Sequence, residues 1–123
     1  MTERVLITGI TGMVGSHLTD YLLAETDWEI HGLARWRSPL DNLQHLLPEL
    51  NSGSRLELVE GDLTDGQSLE RVVDNIQPTV VFHLAAQSYP TASFQSPVAT
   101  LDANVLGTAR LLQALKMRAP AEA

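Results

Sequence analysis

Short apolar runs alternate with longer amphipathic segments along this 123-residue chain. A short apolar run bounded by glycine, proline or a polar cluster is typical of a strand in a buried sheet. Four runs of this kind predict four strands, at Arg4–Thr8, Glu29–Ala34, Arg55–Glu60 and Val80–Ala85.

The segments between these runs predict helices. In Val14–Glu25 the apolar residues recur at helical spacing on one face. Pro39 precedes a second, short helix expected over Asp41–Leu50.

Two further helices are indicated by residues typical of helix starts. Thr64 and Gln67 stand three apart, the spacing of a capping box, and predict a helix over Gly66–Ile76. Ser96-Pro97 supplies an N-cap and a first-turn proline for a last helix over Val98–Met117.

Strands that alternate with helices indicate an α/β protein with a parallel sheet, right-handed crossovers and helices on both faces. We expect one Rossmann-type domain over residues 1–123, with the strand order 3-2-1-4. The fourth strand would then form an apolar edge that needs a cover.

The glycine-rich stretch Thr8–Gly15, TGITGMVG, joins the first strand to the first helix. In that context Gly9 allows a tight turn, Gly12 lets a pyrophosphate approach the backbone, and Gly15 brings the helix close to the strand. The helix N-terminus offers free N–H groups to the phosphates. No Gly-Lys-Ser/Thr follows, so a triphosphate loop is not indicated, and a glycine turn without ligand is the alternative. We expect a dinucleotide to contact the whole turn, namely Gly9, Thr11, Gly12, Met13, Val14 and Gly15.

The end of the second strand favours NADP over NAD. NAD sites usually place Asp or Glu about 20 residues after the glycine loop, where the carboxylate binds the ribose 2′-hydroxyl. The corresponding segment, Leu33–Ser38, has no carboxylate. Guanidinium groups pair bidentately with a 2′-phosphate, which a carboxylate would repel. We therefore expect Arg35, Arg37 and Ser38 to bind this phosphate, and the alternative is two solvated arginines in a loop.

Composition and charge exclude several classes of protein. Fifteen acidic and eight basic residues give a formal charge of −7, whereas general nucleic-acid binding relies on clustered Lys and Arg. We find no apolar run long enough for a membrane helix and no secretory signal. The absence of cysteine suits a cytoplasmic protein. His17, His31 and His45 show no metal-ligand spacing, so we expect no metal.

Three further motifs accompany the glycine turn. They are GDLTD at Gly61–Asp65, HLAAQS at His83–Ser88 and NVLGT at Asn104–Thr108. Together they resemble the extended short-chain dehydrogenase/reductase family, of the NAD-dependent epimerase/dehydratase type. Within it, the stretch that begins at His83 is most similar to the GDP-mannose 4,6-dehydratase and GDP-4-keto-6-deoxy-mannose reductase branches. The resemblance covers essentially the whole chain.

The resemblance implies contacts with the adenosine half of the cofactor. Asp62 would accept a hydrogen bond from the adenine amino group, with Leu63 beside it. The alternative for Asp62 is a cap on the turn into the next helix. Leu84, Ala85 and Ala86 would line the passage for ribose and pyrophosphate, and plain strand packing is their alternative.

Residues after the fourth strand are implied to lie near the reacting groups. Gln87 would contact the cofactor, and Ser88 and Tyr89 would lie near the substrate, because ligands of parallel sheets bind past the carboxyl ends of the strands. An ordinary polar loop is the alternative. His83 lies inside the apolar strand, so we expect a core histidine with satisfied hydrogen bonds and not a catalytic base.

The chemistry of the family uses a tyrosine with a lysine four residues later, since the lysine lowers the pKa of the phenol. At that spacing Tyr21 is followed by Glu25 and Tyr89 by Ser93, and the only lysine is Lys116. We therefore expect no catalytic residue here. The chain is interpreted as the C-terminally incomplete, cofactor-binding half of a longer enzyme, without the substrate domain.

For the whole enzyme, the resemblance implies a lyase that oxidises the C4 hydroxyl of a GDP-hexose with NADP⁺, eliminates water across C5–C6 and returns the hydride. The reductase branch and other sugar-nucleotide epimerases or dehydratases are open alternatives. A self-standing NADP(H)-binding module without catalysis is the alternative from another class. Expected partners are a nucleotide sugar and either a second copy of the chain or the missing C-terminal part.

Overall fold

Four parallel strands form one sheet, and their carboxyl ends meet at one edge of it. The computed structural model describes residues 2–35, 39–52, 55–85 and 94–123. Within these residues the strand order is β3-β2-β1-β4, which confirms the predicted order and the α/β class. The strands are β1 (Arg4–Thr8), β2 (Glu29–Ala34), β3 (Leu56–Glu60) and β4 (Val80–His83).

The last two strands are shorter than predicted. Arg55 precedes β3, and its side chain donates to the carbonyl oxygens of Leu23, Thr26 and Trp28. Leu23 lies in the last turn of the first helix, and the other two residues follow that helix. Leu84 and Ala85 follow β4, and their amides turn to the side chain of Thr8. The N–H of Leu84 also donates to the backbone carbonyl oxygen of Thr8 at 3.1 Å, whereas that of Ala85 donates to the Thr8 side chain.

Helices connect the strands and cover both faces of the sheet. They are α1 (Met13–Glu25), α2 (Leu47–Ser52), α3 (Gly66–Ile76), α4 (Pro97–Leu101) and α5 (Gly107–Arg118). One buried cluster joins Leu6 of β1 to Val73 of α3 and Leu111 of α5. A second cluster on the other face joins Ile7 to Leu22 of α1.

The predicted helix over Asp41–Leu50 is divided in two. Asp41–Leu46 forms a 3₁₀ turn, and α2 begins at Leu47, whose N–H donates to the carbonyl oxygen of Gln44. Pro48 explains the break, because proline has no N–H and fits only in the first turn of a helix. The segment still anchors itself to the core through Leu43 and Leu46, which are buried.

Of two predicted N-caps, the one at Thr64 is wrong and the one at Ser96 is confirmed in position. The N-cap of α3 is Asp65 and not Thr64, because the Asp65 carboxylate accepts from the backbone N–H of Gln67 at 3.1 Å and of Ser68 at 3.4 Å. Thr64 is instead bonded to Asp62. Ser96 stands at the N-cap position of α4 with Pro97 in the first turn, but its side chain makes no capping hydrogen bond.

The predicted last helix over Val98–Met117 is not one regular α-helix. A π-helical turn, Asp102–Leu106, separates α4 from α5, and the N–H of Gly107 donates to the carbonyl oxygen of Asp102, five residues earlier. Turns of this kind are frequent at functional sites. Among the described residues, no helix is long and apolar enough to cross a membrane.

Candidate dinucleotide site at the glycine turn

The glycine turn begins where β1 ends and lies directly against the chain that follows β4. Gly9 has a φ of +78°, a backbone conformation that L side chains rarely adopt. A Cβ placed at Gly9 would lie 2.8 Å from the backbone nitrogen of Ala85. Both the turn and this close approach require glycine, so position 9 fixes the distance between the turn and the end of β4.

The first turn of α1 is pressed onto the same backbone. The N–H of Gly12 donates to the carbonyl oxygen of Gly9 at 3.0 Å. A Cβ at Gly15 would lie 2.2 Å from that oxygen and 2.8 Å from the Cα of Ile10. Residue 15 therefore has no room for a side chain, and the helix starts in contact with the turn.

The N-terminus of α1 has amide groups that α1 itself does not use. Gly12 is the N-cap residue and makes no side-chain capping bond, and the first N–H directed back to it is that of Ser16, at 3.0 Å. The N–H groups of Met13, Val14 and Gly15 precede this first intrahelical donor, Ser16, and have no acceptor within the helix. Gly12, Met13 and Val14 are exposed. Such a terminus attracts anions through free N–H groups and the helix dipole.

Asn42 supports the turn from the segment after β2. Its Nδ2 donates to the carbonyl oxygen of Thr11 at 3.1 Å. Nearby, Nε2 of His45 lies 2.7 Å from the Asp20 carboxylate of α1. The 3₁₀ turn is thus tied both to the glycine turn and to the helix that follows it. Sequence reasoning missed Asn42, which lay within the helix predicted over Asp41–Leu50 and had no signal of its own in the sequence.

Arg35 follows β2 directly and is exposed. Leu33, two residues earlier, is in register with Thr8 of β1. Arg35 therefore lies at the same sheet edge as the glycine turn. The other two residues predicted to bind the 2′-phosphate, Arg37 and Ser38, lie outside the described residues.

The Asp62–Leu63 segment lies at the carboxyl end of β3. Oδ1 of Asp62 accepts from the backbone N–H and the hydroxyl of Thr64, both at 2.9 Å. The capping alternative considered for Asp62 is therefore present in the structure. No described residue donates to its Oδ2, so one carboxylate oxygen can still accept a ligand N–H.

Leu63 is fixed by the helix after the π turn. A Cβ at Gly107 would lie 2.8 Å from the Cβ of Leu63. Nη1 of Arg110 donates to the Leu63 carbonyl oxygen at 2.9 Å, while its Nη2 lies 2.6 Å from the Asp102 carboxylate. Of these supporting residues, the sequence signalled only Gly107, as part of the NVLGT motif.

Leu84 and Ala85 continue from β4 along the glycine turn. Leu84 is partly exposed and Ala85 is half-buried. Their backbone N–H groups donate to Oγ1 of Thr8 at 3.0 and 3.1 Å. The predicted residues Ala86, Gln87, Ser88 and Tyr89 lie outside the described residues.

His83 is held between two hydroxyl groups. Its Nδ1 lies 2.6 Å from Oγ1 of Thr8, and its Nε2 lies 3.0 Å from Oγ1 of Thr108. Burial lowers the pKa of His83 below its ordinary value, because desolvation disfavours the charged imidazolium. Both ring nitrogens have hydrogen-bond partners, as expected, but the side chain is half-buried and not fully enclosed in the core.

Comparison with known proteins identifies the chain by sequence. The family model described as GDP-mannose 4,6 dehydratase matches residues 6–122. A GDP-mannose 4,6-dehydratase of Vibrio cholerae serotype O1 is 45% identical over 121 residues, which are 94% of this chain and 32% of that protein. The human GDP-mannose 4,6 dehydratase is 39% identical over 115 residues, 90% of this chain and 31% of its own length. The chain thus spans about a third of these curated relatives.

Solved structures agree with the fold. The UDP-glucose 4-epimerase of Thermus thermophilus, crystallised in complex with NAD, superposes with a TM-score of 0.77 at 31% identity, over 93% of this chain and 34% of the epimerase. The Bordetella bronchiseptica enzyme WbmH, in complex with NAD⁺, gives a TM-score of 0.75 at 26% identity, over 95% of this chain and 36% of WbmH. Because the family model matches residues 6–122 of the 123, the chain belongs to the GDP-mannose 4,6 dehydratase family.

Proposed function

We propose that this chain is the cofactor-binding part of an NADP-dependent GDP-mannose 4,6-dehydratase. The observation that carries the proposal is the uncapped N-terminus of α1, which begins at a glycine turn too tight for side chains at positions 9 and 15. Backbone amides at such a terminus are suited to a diphosphate. The family and the names of the relatives supply the substrate class.

Different residues around the turn would contact different parts of the cofactor. The amides and small residues from Gly9 to Gly15 would bind the pyrophosphate. The free Oδ2 of Asp62 would accept from the adenine amino group, with Leu63 held in place beside it. The backbone of Leu84 and Ala85 would line the path of the second ribose, towards Ala86 and Gln87.

Arg35 supports the choice of NADP over NAD. It is exposed at the end of β2, the position where NAD-binding proteins usually carry a carboxylate for the ribose hydroxyls. A guanidinium at that place pairs with the additional phosphate of NADP. Arg37 and Ser38 follow within three residues and complete the proposed phosphate site.

The nicotinamide group supplies hydride transfer when it is bound. The part of the machinery proposed for this chain is to bind and orient it at the carboxyl edge of the sheet. Acid–base catalysis needs the tyrosine–lysine pair of the family, and no tyrosine of this chain has a lysine four residues later. We therefore expect the 123-residue chain alone to bind the cofactor without converting GDP-mannose.

The first experiment is titration of the purified chain with NADP⁺ and with NAD⁺ by calorimetry, followed by incubation with GDP-mannose and NADP⁺. We expect tighter binding of NADP⁺ and no 4-keto-6-deoxy product. If the chain bound neither dinucleotide, the proposal would be refuted, and tighter binding of NAD⁺ would refute the phosphate site. Product formation would refute the expectation that this chain binds the cofactor without converting GDP-mannose.

A cofactor-binding module that works without catalysis is the second candidate, and the missing tyrosine–lysine pair favours it. The two candidates differ in association. Apolar side chains of α4, the π turn and α5, including Val98, Leu101 and Val105, are exposed, and β4 is an edge strand within the described sheet. We expect part of a larger enzyme to self-associate through such surfaces, whereas a self-standing module should be monodisperse and should unfold cooperatively. Light scattering and urea unfolding distinguish the two.

A further inference from the structure

A continuous chain of hydrogen bonds crosses the site from the end of β4 to the π turn. It begins at the N–H groups of Leu84 and Ala85, which donate to Oγ1 of Thr8. It continues through the ring of His83 to Oγ1 of Thr108. It ends at the carbonyl oxygen of Asn104, which lies 2.8 Å from the Thr108 hydroxyl.

The directions of these bonds can be assigned from the donors and acceptors available. The Thr8 hydroxyl has one hydrogen and two lone pairs. The hydroxyl oxygen accepts the N–H of Ala85 at 3.1 Å and that of Leu84 at 3.0 Å, the latter shared with the Thr8 carbonyl oxygen. The hydroxyl hydrogen therefore points to the remaining neighbour, Nδ1 of His83 at 2.6 Å. Nδ1 must then be unprotonated, and the ring carries its proton on Nε2.

The other side of the ring gives the same answer. The Thr108 hydroxyl donates to the carbonyl oxygen of Asn104, so its lone pairs face Nε2 of His83. Oγ1 of Thr108 therefore acts as the acceptor in this contact, and Nε2 of His83 must carry the hydrogen that it accepts. On the Nδ1 side, Thr8 is fully buried, so water does not substitute for its hydroxyl there. Two independent hydroxyl groups thus select one tautomer.

From this we infer that His83 is a positioning residue for the candidate cofactor site: as the neutral Nε2–H tautomer, it orients the Thr8 hydroxyl and thereby holds Leu84 and Ala85 against the glycine turn. The inference rests on the proposed function. The held backbone is the one that a Cβ at Gly9 would meet at 2.8 Å. A change in the ring would therefore move the wall of the site and not only weaken the core.

Substitutions that copy one ring nitrogen at a time separate the two roles. In His83→Asn, the amide can place its oxygen near the position of Nδ1 and can accept from Thr8. In His83→Gln, the longer side chain reaches the position of Nε2 and leaves the Thr8 hydroxyl without its acceptor. We expect His83→Asn to bind NADP⁺ within about threefold of the wild-type chain and His83→Gln to bind about tenfold more weakly, since an unsatisfied buried hydroxyl is costly.

Thr8 provides the matched conservative pair. Thr8→Ser keeps the hydroxyl and should bind NADP⁺ with nearly wild-type affinity. Thr8→Val keeps the shape without the hydroxyl and should bind NADP⁺ as weakly as His83→Gln. The double variant Thr8→Val/His83→Gln should bind no more weakly than either single variant, because both changes break the same bond. Equal affinity of His83→Asn and His83→Gln, or additive effects in the double variant, would overturn the inference.

A spectroscopic measurement tests the assignment without any cofactor. Long-range ¹H–¹⁵N correlation spectra of the 123-residue chain at pH 8 should show His83 with an unprotonated Nδ1 and a protonated Nε2, the signals being assigned by their loss in His83→Asn. A protonated Nδ1 would overturn the inference. Failure of the wild-type chain to bind either dinucleotide would instead refute the proposed function, and the tautomer spectrum would still test the hydrogen-bond assignment.

Discussion

The carbonyl oxygen of Gly9 occupies the space where a side chain at Gly15 would begin. A Cβ at Gly15 would lie 2.2 Å from this oxygen, well inside van der Waals contact. The same oxygen accepts the N–H of Gly12, so it cannot move away without breaking the turn. Strand, turn and helix are thereby joined at one atom.

Gly15→Ala should destabilise the fold strongly. The new methyl group meets backbone and not a flexible side chain, so we expect a loss of about 2 kcal/mol or more in the free energy of unfolding. Urea unfolding followed by circular dichroism measures it. Gly66→Ala is the matched control, because a Cβ at Gly66 has nothing within 4 Å. Similar losses in the two variants would contradict the contact.

Gly12→Ala should separate binding from folding. Gly12 is exposed, and its Cβ would lie 3.3 Å from the Gly9 oxygen, a contact that a small shift relieves. We expect a loss of stability below about 1 kcal/mol and NADP⁺ binding weaker on the order of tenfold, which corresponds to ~1.4 kcal/mol, because the methyl group stands at the proposed phosphate. Calorimetric titration measures the affinity. Unchanged NADP⁺ affinity in Gly12→Ala would place the pyrophosphate elsewhere.

Arg35→Ala should weaken the binding of NADP⁺ by about tenfold, the cost of losing one charge-assisted hydrogen bond, and should leave NAD⁺ binding unchanged. Lys116→Ala removes the same charge from the last turn of α5. That end of α5 lies at the opposite sheet edge, where the Arg118 carbonyl oxygen accepts from Gln77 just before β4. Both affinities are measured by titration. Equal losses for the two dinucleotides, or an equal effect of Lys116→Ala, would count against the phosphate site.

Asp102→Ala should loosen the Leu63 segment. Removing this carboxylate leaves the Arg110 guanidinium, which also holds the Leu63 carbonyl oxygen, without its counterion. We expect a loss of about 1–2 kcal/mol in the free energy of unfolding. Asp74→Ala breaks a longer and more exposed ion pair with Arg118, at 3.5 Å, and should cost less than about 0.5 kcal/mol. Equal losses in urea unfolding would show that Asp102 has no special role.

His83 should make stability depend on pH. Burial lowers its pKa in the folded state relative to the unfolded value of 6.5, so the unfolded chain binds more protons as the pH falls below that value. The contribution of neutral His83 to the free energy of unfolding is fully present above about pH 6.5, and it is lost as the pH falls towards the folded-state pKa. As the pH falls from about 7.5 to about 5, we expect the wild-type chain to lose more stability than His83→Asn does. A constant difference between the two chains would contradict this.

Several features could be predicted because their signals are local. The apolar runs at Arg4–Thr8 and Glu29–Ala34 mark strands with the observed bounds. The alternation with helices indicates parallel strands, and the Rossmann type gives their order. The capping error at Thr64 arose because Thr64 and Asp65 are adjacent and both are capping residue types. Only backbone geometry selects Asp65.

The sequence by itself determined the strands, the parallel sheet and the glycine turn, because strand periodicity and glycine spacing act through neighbours along the chain. Only the tertiary structure decided that Thr8 meets His83, 75 positions later, and that His83 meets Thr108. It also decided that Gly107 and Arg110 hold Leu63. Such contacts depend on how strands and helices pack. The residue type of a threonine or histidine does not indicate its hydrogen-bond partner, because only packing brings the two polar atoms within hydrogen-bonding distance.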